Sequence, residues 1–449
     1  MEPWKLYDSW AHDYKSPLIS FRVYSHRTVV INDVDALRDL LEKRGNIYSD
    51  RPKLPMFHDV CGRGKTVFNI SSLDNRHMQY RRLLRTGLSA RATQEYWPLL
   101  QSELEILLHG FAADPKEFEN HIRRNVTAVI MKMAFGYTVT KDDLFIKVIE
   151  ETSRLSGLAM APGRWLVDYF PIMRYIPSFF PGAGWKRQGE AWGEKMNALS
   201  EVPHDWVKKQ METGEFIESF TSRHLRPNGE DMVDAEQEDI VKWCAGGLYA
   251  GAGDTTLSAL LSFIMLMALY PSVQTKAQAE LDAMVGKGHV FHPSDLSKLE
   301  YLPAVMKEVL RYAPVANLAL PHRVTRDDEY KGYRIPKGAT IIANVWAILH
   351  DPDLYPDPYT FDPERFVSPQ PTSLSKSRQP DPKTYVFGFG GRRCPGVIFA
   401  ETTMLLTMAG ILSNFHISLP SREPLPTLQF TRGITSHIKL FNVTISSRT

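Results

Sequence analysis

From about Trp97 to Tyr270, apolar residues recur at three- and four-residue spacing, which predicts a run of amphipathic helices with few strands among them. The pattern changes in "TRDDEYKGYRIPKGATIIANVWAILHDP", where turn residues surround short β-branched runs. A small sheet is expected there, with "YKGYRIPKG" supplying its turns. Next comes "FDPERFVSPQPTSLSKSRQ", residues 361–379, a Pro- and Ser-rich meander. No internal repeat, heptad run or long linker interrupts the chain. The expected fold class is mainly α with a small β portion, in which residues 1–449 form a single large helical body with subordinate sheets.

Composition narrows the partners more than the fold. Lys and Arg total 53 and Asp and Glu 51, a formal charge of +2, so there is no basic excess to bind nucleic acid. A small molecule or another protein is the expected partner. The three cysteines, Cys61, Cys244 and Cys394, are too few for a disulfide framework and fit a reducing compartment. "MEPWKLYDSWAHDYK" is mixed in charge, and the apolar run "LSALLSFIMLMALY" is stopped by Pro271. That run is shorter than the roughly 20 residues of a spanning helix, so no transmembrane segment is expected.

Three chemical motifs fail on spacing. "GRGKT" around Gly64 has Asp59 where a phosphate loop needs its first glycine. "GAGDTT" lacks the third dinucleotide glycine and lies within a helical pattern. No zinc-protease helix, paired zinc cysteines or Gly-x-Ser-x-Gly elbow occurs.

"YVFGFGGRRCPGVIF" does better. Cys394 follows glycines and Arg392–Arg393 and precedes the helical pattern "VIFAETTMLLTMAGIL", with Pro395 suited to its first position. Backbone N–H groups, arginines and a helix N-terminus would all favour a thiolate, a soft metal ligand. A buried structural cysteine is the alternative, although space-filling does not require flanking glycines, which let a flat ligand approach the backbone.

The stretch "FGFGGRRCPG" resembles the haem-binding signature of the cytochrome P450 superfamily: Phe387, Gly390, Arg392, Cys394 and Gly396 match every defined position of Phe-x-x-Gly-x-Arg-x-Cys-x-Gly. The resemblance implies haem b as cofactor, Cys394 as the iron ligand and Arg392 as partner of a haem propionate; thiolate ligation favours O–O cleavage. It extends to "EVLR" and "FDPERF", where Glu308, Arg311 and Arg365 match a structural Glu-Arg-Arg network. "GAGDTT" resembles the oxygen-activating helix element, with Asp254 and Thr255 organising proton delivery and Ala252 replacing a usual glycine. Thr255 bonding back to a helix carbonyl is the alternative. The helix glycines 246, 247, 251 and 253 each cost about 1 kcal/mol, and a thin, distorted wall over the cofactor would account for them. In "RHMQYRRLLRTGL", Arg81 fits a propionate-binding arginine while His77 replaces the family's tryptophan; "LPHRVTRDDEY" offers Arg323 for the same role.

The resemblance runs from about Trp4 to the C-terminus and is strongest to fungal enzymes of secondary metabolism, with the usual N-terminal anchor missing. It implies a monomeric monooxygenase that inserts one atom of dioxygen into an apolar terpenoid, polyketide or lipid-like substrate. Electrons would come from NADPH through NADPH-cytochrome P450 reductase, docking on a cationic side near Arg392 and Arg393. The substrate would meet residues 57–72, 244–256 and 313–320 and the tail near Gly433. The enzyme would lie peripherally on the endoplasmic reticulum, with the aromatic segment Trp165 to Trp185 touching lipid, or in the cytoplasm. An isomerase, dehydratase or peroxygenase on the same fold, or a haem-binding protein without turnover, are the competing readings.

Overall fold

The longest apolar stretch of the sequence becomes the axis of the fold. In the computed structural model, which describes residues 2–140, 143–227, 229, 231–285, 291–367, 379–420, 428–439 and 441–448, it lies in a 35-residue helix, Ala235–Leu269. Asp234 caps it, its carboxylate accepting the Gln237 N–H at 2.8 Å, and Glu236 and Glu238 favour the positive end of its dipole. Residues 256–268 are buried on every side, as expected of a helix that is apolar all round. Around it pack Phe118–Phe135, Gly184–Thr213, Tyr301–Tyr312 and Val397–Asn414. The helices expected between residues 97 and 270 are present, although the stretch 160–183 holds only two short ones, Leu166–Tyr169 and Pro171–Tyr175.

Among the described residues two helices, Ala235–Leu269 and Val397–Asn414, are long and apolar enough to cross a membrane. However, 78% and 61% of their most apolar windows lie inside the protein, so they serve as core.

A four-stranded sheet runs Leu18–Val23, His26–Ile31, Thr340–Ala343, His322–Arg323, with the middle pair parallel and the others antiparallel. The first two strands lie outside the region where the sequence predicted a sheet; their alternation in "LISFRVYSHRTVVI" is the local signal for them. The expected turn at "YKGY" is a two-residue hairpin, with Tyr330 opposite Tyr333 and both Lys331 and Gly332 at positive φ (49° and 82°). That is the geometry whose twist suits paired strands. "VWAIL", read with the sheet, is instead a short helix, Val345–Leu349, capped by the Asn344 side chain. A second hydrophobic cluster under this sheet includes Tyr48, Ile341, Tyr355, Tyr385 and Phe389. Phe389 is fully buried, which anchors the glycine-rich loop before Cys394 to rigid structure.

The glycines of the central helix have partners that the sequence did not show. The chain is α-helical over all of 235–269, and at Gly247 and Gly251 the missing side chains admit protein. A Cβ at Gly247 would lie 2.8 Å from Val67 Cγ2, and one at Gly251 2.8 Å from Phe68 Cζ. The loop carrying Val67 and Phe68 therefore lies directly on the helix, and this close approach offsets the helix-propensity cost.

Candidate active site

Cys394 follows a short turn, Gly390–Arg392, and its N–H donates to the Phe387 carbonyl at 2.7 Å, closing the loop on itself. Gly390 adopts φ +51° there, a conformation that a side chain would strain. The helix begins at Val397 with Gly396 as its cap, so Pro395 lies before the cap and not at the first helical position. The closing bond to Phe387 holds the chain out of the helix at Cys394. The Gly396 N–H is nonetheless aimed at the sulfur.

The thiol is exposed, yet burial among protein atoms raises its pKa; Gly396, Arg81 and Arg393 oppose that rise. Both observations hold for a sulfur facing an internal recess. A coordinated metal would remove the proton outright.

Cations gather around this thiol. His77 and Arg81 stand at i and i+4 on Asn75–Gly87, the sequence spacing that places them on one face. The Nε2 of His77 and the Nε of Arg81 are buried without a hydrogen-bond partner. Burial, with Arg392, Arg81 and Arg51 nearby, lowers His77 to about 4, so it is neutral at physiological pH. Arg392 turns inward: its Nε donates to Ser49 O at 2.8 Å and Nη2 to Ile70 O at 2.5 Å, and burial brings it down to about 10. Of the arginine pair expected on a docking face, only Arg393 is therefore at the surface.

Arg51 was not singled out from the sequence. It is buried, lowered to about 9, and donates to Phe68 O at 2.9 Å, Leu320 O at 2.8 Å and Pro321 O at 2.7 Å. Its neighbour Asp50 belongs to the same isolated pairing, Asp50 with Arg323, that joins residues far apart in sequence. Arg323 does not stand open toward a ligand as expected. Its Nε bonds Asp50 Oδ2 at 2.8 Å and its Nη2 pairs with the same oxygen, while Ser71 Oγ and the Ser72 N–H occupy Oδ1 at 2.7 and 3.0 Å. Asp50 is thus already satisfied, which leaves Arg51, Arg81 and Arg392 without a carboxylate of their own among the described residues.

On the central helix, Thr255 Oγ1 donates to Gly251 O at 2.7 Å, the back-bonded alternative. Asp254 is 48% exposed on its side chain and forms an ion pair with His437 Nε2 at 2.9 Å. Burial would raise its carboxyl, but His437, with Thr435 beside it, holds it below the usual range. His437 was missed because it is brought here by the C-terminal tail. There Thr431 N–H bonds His437 O at 2.8 Å, and Ser436 is tied to Val315 O at 2.7 Å and to Ser258 Oγ at 2.6 Å. The four segments expected to face the substrate thus meet: 66–68 and the tail on the central helix, 313–321 through Arg51 and Ser436.

Below, the Glu-Arg-Arg residues are brought together as expected. Glu308 and Arg311 form a two-pronged pair at 2.7 Å with both side chains fully buried, and Arg365 Nε lies 3.5 Å from Glu308 Oε1.

An accessible thiol ringed by cations without counter-ions calls for a ligand that brings both a metal and negative charge. Haem carries iron and two carboxylates, and the residues present fit it, so the class of protein defined here is the haem-thiolate enzymes. The chain belongs to the cytochrome P450 family, whose model matches residues 1–445. It is 36% identical to a cytochrome P450 monooxygenase of Postia placenta, over 99% of this chain and 86% of that one. It is 33% identical to the tryptamine 4-monooxygenase of Psilocybe cyanescens, over 100% of this chain and 89% of that one. A zebra fish cytochrome P450 solved with progesterone superposes with a TM-score of 0.79 at 25% identity, covering 99% of this chain and 100% of the other. The protein is accordingly a haem-dependent oxidoreductase of the monooxygenase type, acting on small molecules with a redox partner.

Proposed function

We propose that Cys394 ligates the haem iron and that Arg81, Arg392, Arg51 and His77 bind its propionates, with Arg323 acting indirectly by holding Asp50. The observation that carries this is the pair of unpartnered buried nitrogens, His77 Nε2 and Arg81 Nε, in a cluster that includes Cys394 in its field. When bound, haem supplies the iron at which dioxygen is split, one atom going to the substrate and the other to water.

The chain's own work is positioning and proton handling. Asp254, kept ionised by His437 and open to solvent, takes protons in from the tail side. Thr255 is one residue further, on the same helix, and passes them on after releasing Gly251 O. The Val67–Phe68 loop, the central helix and residues 313–320 present an apolar surface that excludes water from a terpenoid, polyketide or similar substrate. NADPH-cytochrome P450 reductase supplies the electrons, approaching on the side of Arg393.

Reconstitution tests this reading. Product should require NADPH and the reductase, and Thr255→Ala should lower product formed per NADPH by about a hundredfold while NADPH oxidation continues. Turnover that runs equally well on hydrogen peroxide without reductase, and is indifferent to Thr255→Ala, would favour a peroxygenase.

The aromatic segment between Trp165 and Trp185 divides in two. Trp165 is buried against Trp192, but Ile172 is 78% and Phe179 84% exposed, together with Leu166, Phe170, Tyr175 and Phe180. Tyr24, at the tip of the first hairpin, packs on Tyr169 and Phe170 with ring centroids 5.3 and 5.2 Å away, so the exposed surface continues onto the sheet. An apolar patch of this kind marks an interaction surface, and its Phe and Tyr content suits a lipid interface. The enzyme therefore sits peripherally on the endoplasmic reticulum. A Phe179→Ser, Phe180→Ser variant should float with liposomes about tenfold less, since two phenyl rings contribute about 2 kcal/mol or more to transfer. Unchanged flotation would remove this segment from the contact.

A further inference from the structure

Arg63 belongs to "GRGKT", the sequence that fails as a phosphate loop, and the haem site makes no use of it. It is only 4% exposed. Its guanidinium lies 4.6 Å from the Trp243 ring centroid, and Nη1 donates to Asn197 Oδ1 at 2.8 Å. Its Nε is buried without a partner. Among the described residues no carboxylate lies within 4.0 Å; Glu201, exposed one turn along from Asn197, acts on it only at longer range.

Other buried arginines have an account. Arg311 has Glu308, and Arg51 and Arg392 have backbone carbonyls beside the haem cluster. Arg63 has one neutral amide oxygen and an aromatic face. Burial brings it down to about 10, so it remains charged at neutral pH. A buried charge with no counter-ion is costly, and an anion that arrives with the substrate removes that cost.

Its position fits such a role. Trp243, whose ring carries the guanidinium, lines a small recess together with Gly246, Gly247 and Ala250, one and two turns further along the central helix, and Thr66, Val67, Phe68 and Ser200. That recess lies at the junction of the Val67–Phe68 loop with the helix that further on carries Asp254 and Thr255. From Trp243 to Thr255 the helix rises about 18 Å.

We propose that Arg63 recognises a carboxylate on the substrate, which is therefore a long apolar acid, a fatty or multi-ring terpenoid acid, held by its charged end and oxidised toward the other. This rests on the monooxygenase reading above and narrows its substrate class. Asn197 holds Nη1 and Trp243 supports the guanidinium face, leaving the Nε–H and Nη2 edge for a carboxylate.

The test uses the ferric holoenzyme and substrate-binding difference spectra with two matched pairs: hexadecanoic acid and its methyl ester, and abietic acid and its methyl ester. In at least one pair the acid should bind about tenfold or more tighter than the ester, as a charge-assisted hydrogen bond predicts. Arg63→Gln should bring that ratio close to one. Asn197→Asp should do the same by supplying an internal carboxylate to an intact Arg63, and it decides the matter where Arg63→Gln fails to take up haem. No acid preference in either pair, or a preference that survives Asn197→Asp, overturns the proposal. Absence of the thiolate-type spectrum of the reduced carbon monoxide complex in the unaltered enzyme would instead overturn the haem-thiolate assignment.

Discussion

Cys394→Ala is expected to abolish the strongly red-shifted Soret band of the reduced carbon monoxide complex and to lower NADPH-supported turnover by at least about a thousandfold, while leaving the fold almost unchanged. The two halves of this prediction have different origins. Activity depends on the sulfur as an electron-donating ligand, a role that alanine cannot take. The folding of the haem-free chain does not, because the side chain is exposed and little packing is lost, so the stability comparison is made on the haem-free proteins. The Cys394 N–H bond to Phe387 O, which closes the loop, belongs to the backbone and survives. Far-UV circular dichroism and the urea midpoint should therefore match the parent within about 1 kcal/mol. A variant that keeps the red-shifted band would remove Cys394 from the iron.

The same loop shows which parts of the site can be read from sequence. Phe387, Gly390, Arg392, Cys394 and Gly396 lie within ten residues, and Glu308 and Arg311 within one helical turn, so their chemistry is written as spacing. Partners contributed by distant segments are not. Asp50 and Arg323 are 273 positions apart and meet only because the strand His322–Arg323 is added to the sheet; Arg323 consequently looked like an open cation when it has a carboxylate of its own. Arg51 was hidden for the same reason, since a lone arginine before a proline reads as a surface turn. Three backbone carbonyls from two distant loops make it a buried one.

His437 was illegible in a further sense. It comes from a tail with no regular pattern, whose position is set by bonds to Ser258 and Val315. The helix glycines carried a true signal of close approach, part of which is made by protein. Their cost called for a close approach, and at Gly247 and Gly251 the approaching group is the Val67–Phe68 loop. Much of the meander between residues 361 and 379 lies outside the described residues.

Glu308→Gln is expected to destabilise the protein by about 3–5 kcal/mol and to reduce haem incorporation sharply, although it alters one buried side chain without changing its shape. Arg311 is fully buried and directs Nε and Nη2 to Glu308, Nη1 to Leu349 O at 2.9 Å and Pro358 O at 2.8 Å, and Nη2 also to Thr360 O at 3.2 Å. With glutamine at 308, that guanidinium and Arg365 beside it lose their only ion-pair partner among the described residues. Burial raises the Glu308 carboxyl, and Arg311 and Arg365 oppose that rise in a dry site, so the carboxyl and the guanidinia depend on one another. The consequence reaches Cys394 through the chain. Glu308 Oε1 also accepts the Asp362 N–H at 2.9 Å, Arg365 Nη2 holds Asp357 O at 2.8 Å, and Lys307 pairs with Asp381 at 3.1 Å, just before the helix Lys383–Val386 that leads into Phe387. Loosening these contacts frees the support of the cysteine loop without touching the loop itself. Urea midpoints and haem per chain should fall together in Glu308→Gln, and Arg311→Lys should be nearly as damaging because an ammonium cannot reach both carboxylate oxygens and the carbonyls at once. The double variant Glu308→Gln, Arg311→Met should lose clearly less than the sum of its single changes, since it removes the orphaned charge along with its partner. Additive losses would mean that the two residues act separately and that the cysteine loop is held by something else.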